Sequence, residues 1–147
     1  MGLLERLDSD MISAAKARQS ERLNAIRFVR SELKNRRIEL GSDLSEEDAV
    51  DVVARVAKKL KEAVEQFEEA GREDIAGPER RKLEVVESYL PEKLSDDDLG
   101  EIVSKAIDET DAASMKDLGS VMKTVMPKVK GRADGNDVRR IATELLS

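Results

Sequence analysis

Two runs of basic residues carry the clearest chemical signal in this chain. One is Lys34-Asn35-Arg36-Arg37; the other is Lys128-Val129-Lys130-Gly131-Arg132, followed closely by Arg139-Arg140. Cations beside glycines, where the backbone lets a partner come close, suit a polyanion such as an RNA backbone. Lys128, Lys130, Gly131, Arg132, Arg139 and Arg140 are therefore the candidate nucleic-acid-binding residues. A plainer account of the same residues, which they favour when taken alone, is a solvated flexible loop with ordinary surface charge. Asp134 and Asp137 already fill the helix N-terminus an anion would otherwise take. Arg36 and Arg37 have a simpler explanation as cations stabilising a helix C-terminus.

Catalytic chemistry has little to work with. The 147 residues contain no Cys, no His and no Trp. That excludes disulfides, a Cys/His zinc site, a Ser-His-Asp triad, a Cys nucleophile and a histidine acid/base. The interval from Gly71 to Gly77 is followed by Pro78, so it is no phosphate-binding loop, and no GxSxG or strand-borne GxGxxG occurs. Asp96-Asp97-Asp98 are the acids a helix's first turn favours rather than a magnesium site. No metal, no cofactor and no catalytic set are expected. With Phe28, Phe67 and Tyr89 as the only aromatics, a base-stacking platform is also excluded.

These residues must be carried by helices. Leu3, Leu4, Leu7, Met11, Ala14 and Ala15 predict a first amphipathic helix. Leu23, Ile26, Val29, Leu33 and Leu40 predict a second, stopped at Gly41. Ser45-Glu46-Glu47-Asp48 reads as a capping-box start, followed by a seam of Val50, Val53, Ala57, Leu60, Val64 and Phe67 at steps of three and four. Gly77-Pro78 predicts the opening of a fourth helix, lined by Leu83, Val86 and Leu90 and ended by Pro91. Ser95 caps a fifth, with a Leu94–Leu99 staple and a stripe of Leu99, Ile102, Val103, Ala106 and Ile107. Ser114 predicts the start of a sixth, with Leu118, Val121, Met122 and Val125 inward and Pro127 after it. Asp134 predicts the start of a seventh, with Val138, Ile141, Ala142 and Leu145 inward.

Seven helices without a strand give an all-α fold: an N-terminal four-helix unit over 1–91 and a smaller three-helix unit over 92–147. The formal charge is −6, from 26 basic and 32 acidic residues. It is unevenly spread: residues 1–41 and 112–147 are net basic, whereas 42–70 and 91–111 are strongly acidic. No apolar run approaches the roughly 18 residues of a membrane span, so no membrane partner is expected. The opening Met1-Gly2-Leu3-Leu4-Glu5-Arg6 has no signal-peptide pattern, and the expected location is cytoplasmic.

Three segments carry a resemblance: Leu3-Leu4-Glu5-Arg6-Leu7 with Arg22-Leu23; Glu84-Val85-Val86-Glu87-Ser88-Tyr89-Leu90-Pro91; and Gly119-Ser120-Val121-Met122 through Met126-Pro127-Lys128-Val129-Lys130-Gly131-Arg132-Ala133-Asp134-Gly135. Together they resemble a bacterial YqeY-like protein over nearly the whole chain. Residues 95–147 are also similar to the tail of the B subunit of the glutamine-dependent aspartyl/glutamyl-tRNA amidotransferase, through Gly119-x-Val121-Met122-Lys123 and Lys130-Gly131-x-Ala133. They depart from it in carrying Met126-Pro127 and Asp134-Gly135.

The resemblance implies an all-helical fold in two parts. It also implies a module that helps hold tRNA while kinase, transamidase and glutaminase chemistry resides in other domains. A carbon–nitrogen ligase label with glutamine as amido-N-donor would then come from the shared module. The expectation is a non-catalytic accessory protein associated with tRNA. The alternatives are a component of a glutamine-dependent transamidation complex, partnered by amidotransferase subunits, and a protein–protein adaptor using the acidic faces.

Overall fold

A computed structural model describes residues 2–147; Met1, which opens the N-terminal motif and the first expected unit, lies outside them. Among the described residues there are seven α-helices and no strand: α1 (Leu3–Lys16), α2 (Ser20–Leu40), α3 (Glu46–Glu69), α4 (Glu73–Glu87), α5 (Asp96–Glu109), α6 (Leu118–Val125) and α7 (Gly135–Leu146). The chain divides into two compact units, one up to Leu90 and one from Pro91 onward.

In the first unit α3 lies along α4, and α2 packs against α1, α3 and α4. Val53, Ala57, Leu60 and Val64 of the expected seam are buried, and Val50 and Phe67 at its ends are half-buried. Val52 and Val56 are buried too, so α3 offers a face wider than a coiled-coil seam, as a helix with several neighbours requires. Ser45 caps α3 as expected: its Oγ accepts from the Asp48 N–H at 3.0 Å, and the Asp48 carboxylate accepts from the Ser45 N–H at 3.4 Å. Glu46 beside it accepts from the Leu3 N–H at 2.8 Å, satisfying an orphan donor at the start of α1 from 43 residues away.

Tyr89 closes this unit. It is 3% exposed, and its hydroxyl donates to Asp10 Oδ2 at 2.6 Å. Arg22 lies 3.7 Å from the same carboxylate, and the Arg6 guanidinium sits 5.1 Å over the ring. The end of α4 is thereby fastened to α1 and α2. Burial, then the bond to Asp10, pushes the phenol up to about 12.

Several expectations fail for local reasons. The fourth helix does not open at Gly77-Pro78; it starts at Glu73, with Pro78 in its second turn. Gly71 ends α3 in the left-handed region (φ 70), and the Arg72 carbonyl accepts from Ile75 and Ala76 to begin the next helix at once. An interior proline crowds the Cβ of the residue before it, but that residue is Gly77 and has none. Leu40 is 42% exposed, because the 21-residue α2 outruns the 14-residue α1. Leu4 and Ala15 fall outside the buried stripe of Leu3, Leu7 and Ala14, which is all α1 contributes to the core, with Met11 packed half-buried against it.

The second unit is a triangle of α5, α6 and α7 around Leu99, Val103, Ala106, Val121, Val125, Val138, Ile141 and Ala142. Ser95 and Asp134 cap α5 and α7 as expected. Ser114 instead caps a 3₁₀ turn, Met115–Asp117, which runs into α6. Pro127 lies within a second 3₁₀ turn, Met126–Lys128, because its fixed φ suits the start of such a turn as well as the end of a helix. Leu145 faces outward and Leu146 packs half-buried in its stead.

Two outcomes test this arrangement. Leu60→Ala should cost about 2–5 kcal/mol in chemical denaturation, as for a buried leucine; a cost below about 0.5 kcal/mol, as at a surface position, would place the seam in solvent. Tyr89→Phe should cost about 1–2 kcal/mol at neutral pH. The native phenol titrates at about 12 rather than the ordinary 10. A group whose folded pKa is raised contributes fully below the unfolded value and loses that contribution as pH rises through the folded one. The gap between wild type and Tyr89→Phe should therefore narrow from pH 10 to about 12, as measured by helical circular dichroism. A gap that stays constant over that window would rule out the Tyr89–Asp10 bond as its source.

Candidate nucleic-acid interface

The candidate residues lie on the second unit. Lys128 ends the 3₁₀ turn, Lys130, Gly131 and Arg132 form the turn that follows, and Arg139 and Arg140 stand on α7. Between Lys128 and Lys130, Val129 is fully buried in the core of the unit. An apolar anchor at that point drives both flanking lysines outward, and both are exposed.

The loop is also tied from the side. The Leu94 N–H donates to the Arg132 carbonyl at 2.9 Å, and Arg132 Nε donates to the Glu92 carbonyl at 3.0 Å. Gly131 supplies the backbone conformation that lets the chain turn there, with φ 77. Gly135 is different: it is the first residue of α7, and a Cβ on it would only touch Met126 Cε at 3.6 Å. The Asp134 carboxylate accepts from the Asn136 N–H at 3.1 Å, so the N-terminus of α7 is capped from within.

Internal partners claim several of these cations. Lys128 Nζ reaches Glu109 at 3.3 Å, at the C-terminus of α5, where a bare carboxylate would face the negative end of the helix dipole. Arg140 lies 3.0 Å from Asp96 at the opposite end of α5, with Asp137 and Glu144 each at 3.8 Å. Its bond to Asp96 holds the guanidinium above its usual pKa. Because the 14-residue α5 spans about 20 Å, Lys128 and Arg140 belong to different ends of the unit. Arg140 also lines a shallow groove with Asp96, Asp97 and Glu144, an acidic setting. Arg139 is exposed and makes no ion pair among the described residues. The structure thus puts Lys128 at the Glu109 end of α5, and Arg132 and Arg140 at the other end, where they meet Glu92 and Asp96; Lys130 lies on the anchored turn and Arg139 beside Arg140 on α7.

The fold gathers a second group of cations that the sequence runs alone do not point to. Arg27, Arg30, Lys34 and Arg37 follow one another along α2 at steps of three, four and three, and all four line one groove. Their spacing is helical, but with Arg36 and Arg37 explained as helix-end cations it carries no separate signal in the sequence. Arg36 belongs to another face, where it meets Glu39 at 3.0 Å.

Fold and site together define an all-helical protein of two units whose surface features are charged faces rather than an enclosed pocket of catalytic groups. The family model described as Yqey-like protein matches residues 4–146, and the chain belongs to that family. The resemblance read from Glu84–Pro91 and Gly119–Gly135 is borne out at that level. Among its relatives is altered inheritance of mitochondria protein 41, mitochondrial, of Pyrenophora tritici-repentis. It is 26% identical over 133 residues, covering 89% of this chain and 73% of the relative. An uncharacterized protein of Schizosaccharomyces pombe, C22F3.15, is 27% identical over 85 residues, covering 58% of this chain and 69% of the relative. No helix among the described residues is long and apolar enough to cross a membrane.

The two glycines of the loop should behave differently. Gly131→Ala places a side chain at positive φ and should destabilise the protein by about 1–3 kcal/mol. Gly135→Ala, which meets only an ordinary contact, should be neutral or slightly stabilising in the same thermal melts. Equal effects at both positions would contradict the loop conformation.

Proposed function

We propose that the protein is a non-catalytic accessory factor that associates with tRNA in the cytoplasm, using Lys128, Lys130, Gly131, Arg132, Arg139 and Arg140. The observation that carries this reading is the burial of Val129 between two exposed lysines. A loop with an apolar anchor presents its charges without first having to order them, which lowers the entropic cost of meeting a polyanion. Arg139 adds an exposed cation on the adjoining helix, with no ion pair among the described residues. The ion pairs of Lys128 and Arg140 reduce what those two residues offer. Together with the net charge of −6, they argue for modest, salt-sensitive affinity.

The absence of Cys and His from the chain supports an accessory role over a catalytic one. A second reading makes the protein a component of a glutamine-dependent transamidation complex in which amidotransferase subunits supply the chemistry. It rests on the resemblance of residues 95–147 to the B-subunit tail, and copurification with those subunits would distinguish it. The adaptor reading gains one feature, the acidic groove between α5 and α7 with Leu145 exposed at its edge.

The test is a titration of total tRNA at two salt concentrations. Binding should fall steeply with salt, with a log–log slope of about −0.9 per duplex phosphate contact or −0.7 per single-strand contact. Lys130→Glu with Arg139→Glu should weaken binding and flatten that slope. This pair spares Arg132, whose guanidinium also ties the loop. Undetectable binding at low salt, or binding indifferent to the double reversal, would overturn the reading and move the adaptor ahead.

A further inference from the structure

The cations on α2 occupy a site that is independent of the C-terminal loop. Along α2, Arg27, Arg30, Lys34 and Arg37 share one face over eleven residues, about 15 Å of helix. They line a groove of about 760 Å³ between α1, α2 and the turn into α3. Two carboxylates, Asp8 and Asp43, face the same groove, so four cations outnumber the acids there two to one.

Asp8 is engaged by Arg30 at 2.9 Å, and Arg30 is further held by Met11 Sδ at 3.0 Å. Arg27, Lys34 and Arg37 are exposed and make no ion pair or side-chain hydrogen bond among the described residues. In the second unit Lys128 and Arg140 are ion-paired, whereas these three are not among the described residues. Ser31, also exposed in the groove, adds a neutral hydroxyl donor.

The lining says what kind of anion fits. Guanidinium groups pair with phosphate oxygens through two parallel N–H bonds, and three of the four cations are arginines. A protein partner would need apolar or aromatic anchors, as interface hot spots do. The groove offers no aromatic side chain; its apolar lining is the exposed Leu4 and the half-buried Leu44, with Leu33 buried in the floor. Without aromatics to stack bases, a single strand has nothing to hold its bases against. A straight row of cations, three of them without an ion pair among the described residues, matches instead the regular backbone of a double helix.

We propose that the α2 groove, through Arg27, Lys34 and Arg37 with Arg30 held in place by Asp8, binds the phosphodiester backbone of a nucleic-acid duplex. The site is separate from the C-terminal loop and does not depend on the function proposed for it.

The test uses the full chain and two fluorescein-labelled duplexes of the same sequence, one RNA and one DNA, followed by anisotropy at low and moderate salt. Arg27→Gln, Lys34→Gln and Arg37→Gln combined should weaken duplex binding at least about tenfold at low salt and flatten the salt slope by about 0.9 per lost contact. Arg36→Gln, on another face of α2, should leave both unchanged. Unaltered circular dichroism would show that the triple variant keeps its helices. A preference for the RNA duplex would assign the site to RNA, and equal affinity would assign it to the backbone common to both.

A triple variant that binds as well as wild type, with the same slope, overturns the inference even if Lys130→Glu with Arg139→Glu abolishes tRNA binding. Loss in the triple variant alone upholds the groove and overturns the loop. Wild-type protein that binds neither duplex at low salt overturns the groove. So does displacement of the duplex by poly-glutamate at equal charge, since the groove would then read charge rather than phosphate.

Discussion

With three aromatics in the whole chain, the cores have to be built almost entirely from aliphatic side chains, and that constraint shapes the rest of the molecule. Val, Leu, Ile and Ala fill both cores, with Tyr89 as the one aromatic that is fully taken in. Each buried Val, Leu or Ile contributes about 1.5–3 kcal/mol and each Ala less, so cohesion comes from long, continuous apolar faces rather than a few large anchors. Helices supply such faces readily, and α3 shows the result in a stripe widened by Val52 and Val56. No polar or charged residue is buried among the described residues, and no buried polar side-chain atom lacks a partner. The charge that makes up 39% of the chain is therefore all available at the surface, either to pair internally or to meet something else.

How that charge is used differs between the units. In the second, the ends of α5 are met by cations from elsewhere in the fold: Lys128 at Glu109 and Arg140 at Asp96. These pairs are exposed and add little stability individually, but they reduce the positive field the loop projects. In the first, Arg80 clips Glu68 of α3 to Glu73 of α4, while Arg27, Lys34 and Arg37 are left facing water. The basic composition of residues 1–41 thus survives folding as a basic surface, which is less true of residues 112–147.

Much of this was legible from local rules. Ser45, Ser95 and Asp134 cap helices because a side-chain oxygen three residues or fewer from an orphan N–H needs no tertiary help. The α3 seam follows from period alone. Pro78 sits inside α4, not at its start, because the relief given by Gly77 concerns a missing Cβ, not a pattern. Leu4, Leu40 and Leu145 were misplaced because periodicity gives a helix face but not how far a neighbour extends along it. At the candidate site the cations could be named from sequence, whereas their partners could not. Asp96 is 44 residues from Arg140, and Glu92 is 40 residues from Arg132. Val129 was the exception available in advance, since a lone valine between lysines in a turn is best explained by burial.

The ring that fastens α4 to α1 has an optical consequence. Tyr89 is the only tyrosine, tryptophan is absent, and Phe28 and Phe67 also precede Pro91. Every near-ultraviolet chromophore thus belongs to the first unit, and the second is spectroscopically dark in that band. Tyrosine emission reports the environment of one latch, whereas peptide-bond absorption reports the helices of both units. Two signals from the unlabelled chain therefore separate the melting of the first unit from that of the whole.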